Sequence, residues 1–66
     1  MTHAEVLQDL AQKIASLWDY PADPAWAIQI AVEDEDIKLP AWFTQGHRQR
    51  LAELVQAEQV AELEAQ

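Results

Sequence analysis

Few residues in this chain are equipped to make or break a bond. Its two histidines, His3 and His47, stand far apart, and neither sits in an HExxH or other paired metal-ligand spacing. Ser16 is the only serine, with no glycine elbow and no neighbouring base to activate its hydroxyl. Asp34 and Asp36 have the spacing of the first two ligands of a calcium loop. That register, however, places Leu39 where the loop needs glycine and Gln45 where it needs a bidentate glutamate. The absence of cysteine removes thiol nucleophiles, disulfides and thiolate zinc sites, and a single glycine cannot build a phosphate-cradling loop. The expectation is a protein that is not an enzyme, with no catalytic residue, no metal site and no cofactor.

Charge is the stronger signal. Twelve acidic residues face four Lys and Arg, giving a formal net charge of −8 over 66 residues. This balance argues against direct binding to nucleic acid or to an anionic membrane, both of which require a basic patch. Glu33, Asp34, Glu35 and Asp36 form an uninterrupted run with no counter-charge before Lys38. A solvated loop is the ordinary explanation for such a run. Two placements weigh against it. At the end of a helix the run opposes the macrodipole, which favours cations there. The last helix is inverted in the same way, with Arg48 and Arg50 near its start and Glu62 and Glu64 near its end. Glu58 and Glu62 add an i,i+4 repulsion. Each misplacement costs only about 0.3–1 kcal/mol and decides nothing alone; together they point to charge placed for something other than helix stability. Glu33, Asp34, Glu35, Asp36, Glu58, Glu62 and Glu64 are therefore the candidate partner-binding residues.

The elements that must position these acids read as a single domain, residues 1–66, in an all-α, compact small helical bundle. Thr2 and Glu5 have capping-box spacing, and Val6, Leu7, Leu10, Ile14, Leu17 and Trp18 recur at three and four, predicting a helix over 2–18. The Tyr20-Pro21-Ala22-Asp23-Pro24 segment ends it. Asp23 and Pro24 suit the start of a short helix over 24–34. The alternation of Trp26, Ile28, Ile30 and Val32 leaves an α+β alternative open, with a hairpin at 26–43 between two helices. Thr44 caps a long third helix over 45–63, with Leu51, Leu54 and Val55 inward. Twelve of the apolar residues are alanine, so Trp18, Trp26, Trp42, Phe43 and Tyr20 are expected to fill the centre or an oligomer interface. No run approaches the roughly 20 apolar residues of a membrane span, and no basic signal-peptide start is present, so a cytoplasmic protein without membrane contact is expected.

An acidic surface on a small rigid scaffold imitates DNA in charge density: phosphates advance about 3.4 Å along a strand, and helix residues four apart are about 6 Å apart along the axis. In size, lack of cysteine and charge balance, with Glu33 to Asp36 as the local feature, the chain resembles the small acidic phage-encoded anti-CRISPR proteins. Among these it is similar to the DNA-mimic inhibitors of type I systems, with type I-C the first subtype to consider. These inhibitors share no motif, so the resemblance assigns no residue a role. It implies an inhibitor acting in the bacterial host cell that blocks target-DNA binding by occupying a basic groove of a Cas subunit, as a monomer or small homo-oligomer. The alternative is a helical protein-interaction module, such as an antitoxin or complex subunit, that binds through apolar anchors such as Trp42 or Phe43.

Overall fold

The computed structural model describes residues 2–18 and 22–65, leaving aside the side chains of Glu62 and Ala65. Among the described residues the chain forms three helices and no strand: α1 (His3–Ala15), α2 (Pro24–Glu33) and α3 (Gln45–Ala65). The expected all-α bundle is present, and the hairpin alternative at 26–43 is not.

Local chemistry accounts for each boundary. The Thr2 hydroxyl accepts from the Glu5 amide at 3.2 Å and donates to Glu5 Oε1, so the carboxylate engages the hydroxyl instead of the expected backbone N–H. Asp9 and Lys13 pair at 3.0 Å on the wet side of α1. This helix stops at Ala15, short of the expected Trp18. Ser16, which the expected 2–18 helix would place inside it, is instead the exposed C-cap, and its hydroxyl donates to the Lys13 carbonyl at 2.8 Å. Tyr20 and Pro21 of the expected break lie outside the described residues. Pro24 occupies the first turn of α2, where its missing N–H costs nothing. Thr44 caps α3 as expected, its hydroxyl accepting from the His47 amide at 3.4 Å.

The alternating apolar residues of 24–33 fit a helix because alanines lie between them. Ala27, Ile28 and Ala31 form the inner face, while Ile30 and Val32 are half-buried and Trp26 points outward. In a strand, one row would have held all four large side chains and the other mostly alanine. In the helix, small residues let the backbone come close to its neighbours.

The centre is aliphatic. Leu7, Leu10, Ala11, Ile14 and Ala15 of α1 meet Ala27, Ile28 and Ala31 of α2 and Leu51 and Val55 of α3. This corrects one half of the expectation for the aromatics, that they fill the centre: Trp18, Trp42 and Phe43 are only half-buried around the core, and Trp26 is 43% exposed. Tyr20 lies outside the described residues. The buried positions of α1 and α2 are filled by alanine and branched aliphatic side chains, and the rings lie on the flanks.

Polar contacts fix the relative direction of the helices. His3, at the start of α1, lies near His47 in the first turn of α3, and the Gln8 amide donates to Glu58 further along. Helices α1 and α3 therefore run in the same sense, and α2 with the 34–44 connection leads back to the pole where α3 begins. At the other pole, the buried Gln59 side chain reaches the connection before α2. With its amide oriented so that both ends are satisfied, Nε2 donates to the Ala22 carbonyl at 3.1 Å and Oε1 accepts from the Ala22 N–H at 3.2 Å. With about 1.5 Å of rise per residue, α3 spans about 32 Å against about 20 Å for α1 and sets the long dimension of the 35 × 25 × 17 Å molecule. No described helix is long and apolar enough to cross a membrane.

Candidate functional site

The acidic run sits where α2 ends. Glu33 is its last helical residue and Asp34 its C-cap, and both Asp34 N–H (2.7 Å) and Glu35 N–H (3.3 Å) donate to the Ile30 carbonyl. Asp36 then adopts a left-handed backbone conformation, φ 58°, and the chain turns so that Ile37 N–H donates to the Ala31 carbonyl at 3.0 Å. Ile37 and Leu39 pack against the core beyond the turn. The turn thus anchors both ends of the run and leaves Glu33, Asp34, Glu35 and Asp36 all exposed. Among the described residues, the only ion pairs are Asp9 with Lys13 and Glu53 with Arg50, so none of these four carboxylates is paired.

The helix ends differ in how they treat charge. In α1 an acid, Glu5, stands in the first turn and a base, Lys13, in the last, as the macrodipole favours. The last turn of α2 carries no base and is followed by the acidic run; α3 has neither an acid in its first turn nor a base in its last. A left-handed residue is also best as glycine, with aspartate tolerated at a cost. Replacing Asp36 with Gly is therefore expected to raise the unfolding free energy by about 1 kcal/mol. Urea denaturation checks this, and a loss of stability would show that the Asp36 side chain supports the turn.

Glu58 is half-buried and accepts from Gln8 of α1, so it ties the two helices together. Glu64 is exposed on the last turn of α3, and the Glu62 side chain lies outside the described residues. Glu53, which the sequence reading did not select, pairs with Arg50 at 3.1 Å, and both side chains are well exposed. Such an exposed pair contributes little.

At the pole where α1 and α3 begin, the fold unites the two histidines that the sequence keeps apart. His3 stacks on Trp42 with ring centroids 3.8 Å apart and planes within 10°. His47 stands nearly perpendicular to both, 4.9 Å from Trp42 and 5.7 Å from His3. The Thr44 N–H donates to His47 Nδ1 at 3.1 Å while Thr44 Oγ1 accepts from the His47 amide, a reciprocal cap with histidine where glutamate or glutamine is usual. The Thr44-x-x-His47 spacing carried that signal in the sequence; the His3–Trp42 stack left none. Among the described residues, no group of three or more His, Cys, Asp or Glu is arranged to hold a metal ion.

What this surface can do is electrostatic: a hydrogen-bonded turn carries four consecutive exposed carboxylates. Comparison with known proteins adds no relative, since no family model, curated protein or solved structure matches this chain.

Proposed function

We propose that the protein is a non-enzymatic inhibitor that presents Glu33, Asp34, Glu35 and Asp36 to the basic nucleic-acid-binding groove of another protein and thereby excludes its nucleic acid. One observation carries the reading: four consecutive exposed carboxylates, unpaired among the described residues, lie at a helix end where the macrodipole opposes them. The clustered charge steers association with a cationic groove, fast at low salt and weakened as salt rises. The specific case to test first is the block of target-DNA binding by a type I CRISPR effector, with type I-C leading.

The test compares the native chain with the Glu33→Gln, Asp34→Asn, Glu35→Gln, Asp36→Asn variant. Each competes with duplex DNA for a purified type I-C effector complex. The native chain is expected to displace the DNA, and added salt should weaken it. The variant should compete about tenfold less well or worse while unfolding at the same or higher temperature. Equal competition by both chains would remove the acidic run from the mechanism. No competition by either would remove this target.

A further inference from the structure

The four large apolar side chains left most open are Leu17, Trp26, Val60 and Leu63, and the contacts between the segments that carry them place those segments at one end of the molecule. Leu17 and Trp18 follow the last turn of α1, and the Trp18 ring lies 5.2 Å from that of Trp26 on the first turns of α2. The Gln59–Ala22 hydrogen bonds bring the α3 turn that precedes Val60 and Leu63 against the same connection. Residues four apart share a side of a helix, so Leu63 lies one turn beyond Gln59 on the side that reaches Ala22. This is the pole opposite the His3, Trp42 and His47 stack, where the aromatics are half-buried or stacked on one another.

Apart from Lys13, the charged residues that flank these side chains along the chain are acidic. Asp23, the N-cap of α2, and Glu64, next to Leu63, are both exposed. Glu33 lies two turns along α2 from Trp26 on the same side, linking the apolar end to the acidic run. One turn before Leu17 is a single base, Lys13, and it is held by Asp9 at 3.0 Å. An apolar centre with carboxylates at its border is complementary to a helix with leucine-like residues on one face and Lys or Arg beside them. It suits a second copy of this chain poorly, because each copy carries a net charge of −8.

We propose that this end docks a basic amphipathic helix of the partner, with Trp26 and Leu63 as its apolar anchors. The proposal rests on the reading of the partner as a basic protein and adds where that partner makes contact besides the acidic run. Trp side chains are enriched among the few residues that dominate binding energy, and an indole at this exposure keeps much of its area free for burial.

The test uses two fluorescently labelled synthetic helices with identical lysine positions, one carrying leucine along its other face and the other glutamine. By anisotropy the Lys/Leu helix is expected to bind about tenfold more tightly than the Lys/Gln helix. Trp26→Gln and Leu63→Gln should each shrink that ratio toward one, with unchanged circular dichroism. The four-amide variant should weaken both peptides alike. Equal binding of the two peptides, or a ratio untouched by Trp26→Gln, would overturn the docking proposal while leaving the acidic-surface reading in place. Failure of both basic peptides to bind would overturn the two together. Sedimentation showing a dimer that Trp26→Gln dissolves would assign this end to a second copy and overturn the proposal.

Discussion

Replacing Leu51 with Ala is expected to lower the unfolding free energy by about 3 kcal/mol. Leu51 is fully buried where α3 meets the other two helices, among the largest side chains with no exposed area. The α1 and α2 residues of the same core include four buried alanines, whose side chains are too short to reach into a space left by its loss. The cavity term therefore adds to the lost transfer energy and is not relaxed away. At roughly 0.05–0.15 kcal/mol per residue, a chain of this length is stable by about 3–10 kcal/mol, so one such change takes a large share. Urea denaturation should show a lower midpoint with an unchanged slope. A shift below about 1 kcal/mol would mean that the helices close over the gap. This variant also serves the functional experiments: it marks loss of binding through unfolding, whereas the four-amide variant should lose binding with its fold intact.

The second large effect is expected at Gln59. Its side chain is 5% exposed and bonds both backbone groups of Ala22. Gln59→Leu preserves much of the volume but leaves the Ala22 N–H and C=O without these partners. Stranding polar groups at a half-buried position costs about 2 kcal/mol. The same change should loosen the joint that holds the start of α2, with its Asp23 cap and Trp26, against α3. In the peptide assay, Gln59→Leu should therefore weaken the Lys/Leu helix more than the Lys/Gln helix, although Gln59 itself is buried. If urea unfolding shows stability unchanged within about 0.5 kcal/mol, the clamp is energetically idle and water replaces it readily.

How much of this was legible in the sequence depended on whether the signal was local. The caps at Thr2 and Thr44 and the recurring aliphatics of α1 and α3 are properties of single segments, and the structure reproduces them to within a few residues. The α2 segment was ambiguous because its large residues alternate while its alanines favour helix. The choice was settled by whether neighbouring helices could use the small face of Ala27 and Ala31, which no local pattern reveals. The misplacement of the aromatics has the same origin: their size argued for the centre, but alanine and branched aliphatic side chains fill it. Gln59 continues the Leu51, Val55 row at four-residue spacing, so its position was inward by register even though its amide argued otherwise. For the acidic surface, the Glu33 to Asp36 run was plain from composition. The tie of Glu58 to Gln8 depends on a residue fifty positions away.

The alanines at the centre have a thermodynamic consequence. Ala11, Ala15, Ala27 and Ala31 are at most 1% exposed, and burying them costs no side-chain entropy. They also bring little apolar area out of water, and that area sets the heat-capacity change of unfolding. A small heat-capacity change makes a shallow, broad stability curve, so the folded fraction of this chain is expected to change slowly with temperature around its maximum of stability.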